Sequence, residues 1–315
     1  MSNDYAKHDI LWMFGRLMQE YINRLGELDQ PEHLSRPLTS ITLYCLLLSL
    51  IMQLFAKLSV AAAFASAIIG VFAAPTDGTL LTRAAPQVIT KCTVPNTVAL
   101  TFDDGPYQYI YDIVNTLENA GAKGTFFFNG NNYECIYSAE NQKRLKYVYD
   151  RGHQIGSHTW GHKDLATLSW DQVHDEMWRV EPNKLYLKSE ALQRILGVMP
   201  ACMRPPFGSY NDNVQNVAGV RGQKIVNWDF DSRDSAGASA AESNGLYDQI
   251  ISQRPSTILA LNHETYASTA YEVLPYAIQK LQAAGYRLVT VAECLGEQPY
   301  QSVGSPQTPD ASWTC

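Results

Sequence analysis

Between residues 97 and 291 short apolar runs of β type alternate with longer stretches of helical spacing, and this alternation leaves few folds open. A parallel strand pair needs a long connection that packs back across the sheet, so strand–helix–strand repeats are the pattern of a parallel sheet with crossover helices. The β-type runs are 97–102, 124–128, 153–157, 201–204, 224–228, 257–261 and 287–291. Helical patterns fit between them at 109–119, 142–150, 170–196, 211–220, 241–253 and 272–284. Pro182 interrupts the third helix, and a loop over 182–189 is expected there. Gly121, Gly152, Gly222 and Gly285 stand near helix ends, where a left-handed cap is wanted. The expected fold is an α/β, distorted and incomplete (β/α) barrel of about seven parallel strands. At 315 residues and 46% hydrophobic the chain can fill its core.

The chemically versatile residues fall at the ends of these strands. Asp103 and Asp104 follow the first, His158 and His162 the third, and Arg204 to Phe207 the fourth. Asp229 to Asp234 follow the fifth, and His263 follows the sixth. In a parallel barrel the carboxyl ends of the strands share one face, so groups far apart in sequence converge on one pocket. The remaining histidines fall elsewhere. His153 is expected to pack within a strand, His174 to be solvated on a helix, and His8 and His33 lie in the N-terminal extension.

The N-terminal quarter differs in composition. From Ile41 to Ala74 the chain is almost continuously apolar, and it ends in Val71-Phe72-Ala73-Ala74-Pro75. Read from Met52, residues 52–74 form a signal peptide with Lys57 in a short basic region and a small-residue exit near Ala73. Read from Met1, the same run is long enough for a signal anchor. The small-residue exit favours cleavage and secretion, with 1–51 an extension outside the working protein, 75–91 a linker and 298–315 a surface strap. Five cysteines then remain, so at most two bridges form and one thiol is left over. Cys92 and Cys294 flank the domain and can join its ends, with Cys135 and Cys315 as the second pair; unpaired buried thiols are the alternative. No N-glycosylation sequon occurs. A net charge of −7 without a dense basic cluster argues against nucleic acid and suits a neutral or cationic partner.

His158 and His162 are four residues apart, so a helical turn would put both imidazoles on one side. A carboxylate from a neighbouring strand end completes a three-ligand set with an open position. That donor set suits Zn²⁺ best, with Co²⁺, Mn²⁺ or Fe²⁺ as alternatives, and an ion so held turns water into a nucleophile near neutral pH. One of the two adjacent aspartates is enough for the ion. The other can act as a base if a guanidinium such as that of Arg204 orients it. His263 can supply the acid that collapse of a tetrahedral intermediate requires, and the ion with one backbone N–H can hold an oxyanion.

Five segments in order carry a family resemblance. They are Thr101-Phe102-Asp103-Asp104-Gly105-Pro106, Ser157-His158-Thr159-Trp160-Gly161-His162, Arg204-Pro205-Pro206-Phe207-Gly208, the stretch from Trp228 to Asp234, and Leu261-Asn262-His263. The chain resembles the polysaccharide deacetylases with NodB homology, carbohydrate esterase family 4, over roughly 92–296. Its flanks, Cys92-Thr93-Val94-Pro95 and Glu293-Cys294-Leu295-Gly296, are similar to those of secreted fungal chitin deacetylases. The resemblance implies Asp104, His158 and His162 as metal ligands, Asp103 as general base and His263 as general acid. It implies that Arg204 orients Asp103, that Asp234 pairs with Arg204 or tunes His263, and that the Phe207 N–H helps bind the oxyanion. Leu261 would line the pocket for the acetyl methyl. Trp160 and Trp228 would flank the sugar groove, although a buried position suits Trp228 better.

Three departures stand out: Phe207 where tyrosine is commoner, Ser235 where an aromatic residue often follows the aspartate, and 182–189 as an insertion. The activity implied is hydrolysis of the acetamide of N-acetylglucosamine units in chitin by a secreted, wall-associated monomer. Acetylxylan or peptidoglycan is the alternative substrate. A non-catalytic carbohydrate-binding wall protein is the alternative of another class, and one that Asp103 and His263 together speak against.

Overall fold

A computed structural model of the chain describes residues 87–180 and 191–315. The readings of 1–51 and 52–74, the start of the linker and the 182–189 loop lie outside the described residues. In chain order the strands are β1 (Val88–Ile89), β2 (Thr97–Asp103), β3 (Thr125–Phe128), β4 (Gln154–Ser157), β5 (Val198–Pro200), β6 (Cys202–Met203), β7 (Lys224–Val226), β8 (Phe230–Asp231), β9 (Thr257–His263), β10 (Arg287–Val289) and β11 (Tyr300–Val303). The helices are α1 (Ile110–Asn119), α2 (Ala139–Asp150), α3 (Trp170–Trp178), α4 (Ala191–Leu196), α5 (Asp212–Arg221), α6 (Ala240–Ser252), α7 (Leu274–Ala283) and α8 (Val291–Leu295). No helix of the described residues is long and apolar enough to cross a membrane.

Nine strands form one parallel sheet in the order β1-β7-β6-β4-β3-β2-β9-β8, with β10 beside β2. The first and last strands of this path do not pair, so the barrel stays open. All seven expected strands are present, while β1 and β8 are additions of two residues each, too short for any periodicity to announce. The expected end of the last strand instead becomes α8, capped by the Thr290 hydroxyl, which accepts from the Glu293 N–H.

The alternation of side chains along the central strands divides the core. Val98, Leu100, Phe102, Phe126, Phe128, Ile258 and Ala260 face the helices in the main cluster. Ala99, Phe127 and Leu259, offset by one residue, face the barrel interior with the Cys92–Cys294 disulfide. Burial of such side chains is worth roughly 1.5–3 kcal/mol each and fixes which face every residue takes. Asp103, two pleats beyond Ala99, therefore opens into the barrel mouth.

Local signals set the helix ends. Reciprocal capping boxes start α3 (Ser169 with Gln172) and α6 (Ser239 with Glu242), and Gly222 ends α5 at φ 74° in the left-handed region. His153 is packed: it is buried, accepts the Gly124 N–H at 3.0 Å, and burial pushes its pKa down to about 4. His174 departs from the expected solvated position. It is half-buried and stacks on Trp170 at 5.1 Å, and burial likewise pushes its pKa down to about 4. Cys135 is bonded to Cys315, so the C-terminal segment, which also pairs β11 with β5, runs back to the loop before α2. Cys202 is buried and takes no part in a disulfide.

Candidate active site

Strand register assembles the site before any side chain is considered. β2 and β9 pair through all seven residues from Thr97↔Thr257 to Asp103↔His263, so these two groups end adjacent strands side by side. Ser157 pairs with Met203, which makes His158 and Arg204 neighbours one residue later. The ensuing loops take uncommon backbone conformations: Asp104, His162 and Phe207 have φ of 77°, 54° and 60°. Positive φ costs an L-residue roughly 1–2 kcal/mol, and such positions cluster where a side chain must be aimed against local preference.

Asp104, His158 and His162 each offer a ligand atom, and these atoms lie within 4.8 Å of one another. Asp104 Oδ1 is 3.1 Å from His162 Nε2 and 3.5 Å from His158 Nε2. The Nδ1 of His158 lies 2.8 Å from the Arg204 carbonyl, to which it can only donate, so its Nε2 carries the lone pair that faces the cluster. Burial pushes the Asp104 carboxyl up, but the neighbouring imidazoles of His158 and His162 outweigh it and hold the group well below the usual carboxylate range. Asp104 Oδ1 is buried with no hydrogen-bond partner. A buried anionic oxygen without a donor, facing imidazole nitrogens, is the environment a divalent cation completes. The three residues thus fit a metal ion as a two-histidine, one-carboxylate set.

Two charged pairs flank the cluster. Fully buried Arg204 lies over the Phe127 ring at 4.3 Å inside the barrel, and its guanidinium donates to Asp103 Oδ1 (2.8 Å), the Thr101 hydroxyl (2.5 Å) and the carbonyls of Val226 and Asn227 (both 2.9 Å). Asp103 Oδ2 is left 3.8 Å from His158 Nε2, facing the cluster. On the other side His263 Nδ1 is 2.8 Å from Asp234 Oδ1. Burial lowers the His263 pKa, but the hydrogen bond and charge of Asp234 more than reverse this and raise it to about 9. Of the two partners expected for Asp234, the structure places His263 beside it; the Arg204 donors are used elsewhere.

The remaining expected residues divide. Phe207 is 68% exposed, with its ring centroid 4.8 Å from that of His162 in an edge-to-face arrangement. Leu261 is buried on β9, paired with Thr101 and Asp231. Trp228 is half-buried rather than buried, 5.5 Å from the Arg204 guanidinium and against Gly208. Trp160 is not a groove wall: it is 8% exposed, fills the space a side chain on Gly130 would need, and lies under Arg179.

Sequence reasoning missed the residues that aim the ligand loops. The Asn129 side-chain amide donates to the carbonyls of His158 and Thr159, while its backbone N–H donates to Gly105, tying the aspartate loop to the histidine loop. The buried Glu176 carboxylate accepts from the Gly161 N–H (2.7 Å) and pairs with Lys163 (2.9 Å), bracketing His162. Glu264 is fully buried and accepts the Tyr107 N–H at 2.6 Å, and its carboxyl occupies the place a Cβ on Gly105 would take. Burial raises the Glu264 pKa well above its ordinary value. Asn132 and Tyr133 join Asp104 and His162 around a cavity of about 260 Å³. Only adjacency to a motif, as with Glu264 after His263, could have drawn attention to any of these.

The polysaccharide deacetylase sequence pattern matches residues 90–226. A chitin deacetylase of Pestalotiopsis sp is 37% identical over 217 residues, spanning 67% of this chain and 67% of that protein. The chitin deacetylase of Colletotrichum lindemuthianum is 32% identical over 246 residues, spanning 75% of this chain and 95% of that protein. Its solved structure superposes with a TM-score of 0.62, covering 68% of this chain and 93% of that one. The peptidoglycan N-acetylglucosamine deacetylase PgdA of Listeria monocytogenes is 28% identical over 211 residues, 67% of this chain and 41% of that protein. With the open parallel barrel and the His/Asp cluster at its mouth, these likenesses establish that the chain belongs to the polysaccharide deacetylase family, carbohydrate esterase family 4.

Proposed function

We propose that this enzyme removes N-acetyl groups from N-acetylglucosamine units of chitin, releasing acetate and leaving chitosan. The observation that carries this is the cluster of Asp104, His158 and His162 with a carboxylate–guanidinium pair on one side and a carboxylate–imidazole pair on the other. The two chitin deacetylases at 37% and 32% identity favour chitin over peptidoglycan or acetylxylan as substrate. The two disulfides support export, in keeping with the apolar run that ends near Ala73.

Asp104, His158 and His162 would hold the cation, Zn²⁺ by donor type, which would supply Lewis acidity toward the acetamide oxygen. Asp103 acts as general base: Arg204 occupies its Oδ1, leaving Oδ2 to take the proton of the attacking water. The Phe207 N–H donates to the developing oxyanion, and Leu261 packs against the acetyl methyl. His263 with a pKa near 9 is imidazolium at neutral pH, so it gives its proton to the departing sugar amine. Asp234 maintains that charge and fixes the ring.

The test is acetate release from chitin oligomers, acetylxylan and peptidoglycan, with and without a chelator. Chelator-sensitive release from the chitin oligomers is expected; preference for either other polymer would move the substrate, and no release from any would leave a binding protein.

A further inference from the structure

A row of tyrosines leaves the cavity. Tyr133 lines it with Asp104 and His162. Its ring packs on Tyr107 with centroids 5.1 Å apart, Tyr107 on Tyr109 at 6.2 Å, and Tyr109 on Tyr271 at 5.8 Å. The far members of this row come from separate parts of the chain, the approach to α1 and the turn before α7, so packing and not sequence aligns them. Both ends of the row are open to solvent, Tyr133 at 48% and Tyr271 at 56%.

These residues are unlike ordinary surface aromatics in two ways. They are held in place, since neighbouring rings meet at 47°, 75° and 85°, and the Tyr271 hydroxyl donates to the Asp112 carboxylate at 2.7 Å. They are also concentrated around one site. Among the described residues five large apolar side chains are exposed; Tyr133 and Tyr271 belong to this row, and Phe207 and Tyr210 to the loop packed on His162. Tyrosine offers a broad contact face with little rotamer freedom to lose, and a hydroxyl at its edge. A pyranose has the matching form, with apolar C–H faces and a hydroxylated rim. No member of the row is charged, which suits a neutral polymer.

Resting on the deacetylase reading above, we infer that this row is a track for successive sugars of one extended, uncharged polysaccharide chain whose acetylated unit lies at the metal cluster. Tyr109 and Tyr271 then contact sugars distant from the reacting one, and they make the enzyme select for chain length. A short substrate reaches the cluster without touching Tyr271; a long one gains its contact.

The test is Tyr271→Ala, an exposed position outside the catalytic machinery, with Tyr271→Phe as the variant that keeps the ring. KM and kcat are measured on N-acetylglucosamine oligomers from the dimer to the hexamer. The wild type should show KM falling with length. Tyr271→Ala should raise KM about fivefold or more on the longest oligomers, the usual effect of truncating an interface tyrosine, with the dimer unaffected and kcat unchanged. Tyr271→Phe should behave as wild type. Equal loss at every length, or none at any, overturns the track. Unchanged kinetics with altered self-association in sedimentation would reassign the row to a protein interface. If the wild type itself released no acetate from any oligomer, the deacetylase reading, and not the track alone, would fall.

Discussion

Asp234→Asn removes one charge from the pair that sets the acid. The rise of the His263 pKa from 6.5 to about 9 corresponds to roughly 3 kcal/mol in favour of the imidazolium, and Asp234 is the largest cause acting in that direction. A cation on Asp104 works against the smaller contributions of Asp103 and Asp104. Without the Asp234 charge, burial prevails and the pKa falls to 6.5 or below. At pH 8 the protonated fraction then drops about thirtyfold. Turnover at pH 8 should fall by about that factor or more and recover toward pH 6, with the alkaline limb of the kcat profile displaced to lower pH.

Stability should follow with a definite sign. A group whose pKa is raised on folding contributes stability that is fully present below about 6.5 and is lost as pH rises through about 9. The melting-temperature gap between wild type and variant is therefore widest in mild acid. The gap has a second source, because Asp234 accepts four donors: the N–H groups of Ser235 and His263, His263 Nδ1 and the Thr269 hydroxyl. Asparagine has one oxygen for them, and a stranded buried donor costs about 1–3 kcal/mol. An alkaline limb that stays in place in the variant would refute the coupling and leave Asp234 a purely structural residue.

Three further outcomes are expected. Asp103→Asn should retain the ion yet lose about 10²–10⁴-fold in kcat, whereas His158→Ala should lose the ion itself, as metal analysis after dialysis will show; full occupancy in the second variant would overturn the ligand set. Arg204→Leu leaves Asp103 buried and unpaired, so thermal unfolding should report a loss of about 3–5 kcal/mol, and a wild-type melting curve would contradict it. Glu264→Ala should release the turn after Asp104 and weaken metal binding in a chelator competition, while Glu264→Gln, still able to accept the Tyr107 N–H, should bind as wild type; equal affinities in all three forms would remove Glu264 from the support of the site.

The alternation of β-type and helical runs carried the architecture, because crossover connections and strand burial are local enough to leave a periodic trace. The seven expected strands all formed, and the two additions to the parallel sheet, Val88–Ile89 and Phe230–Asp231, were invisible because two residues have no period. The residues that meet at the barrel mouth were also legible, since each ends a strand: Asp103 and Asp104, His158 and His162, Arg204, and His263. What stayed hidden depends on the far side of each residue. His174 looked solvated until Trp170 stacked on it, and Trp160 looked like a wall until Gly130 and Arg179 closed around it.

By itself, then, the sequence determined which side chains arrive at the carboxyl ends of a parallel sheet, because strand order and pleat follow from patterns spanning a few residues. Tertiary structure alone decided how they divide the work. Asp234 stands with His263 and away from Arg204, and Glu176, Asn129 and Glu264 hold the ligand loops, because those choices hang on contacts between segments 15 to 157 residues apart that no local periodicity records.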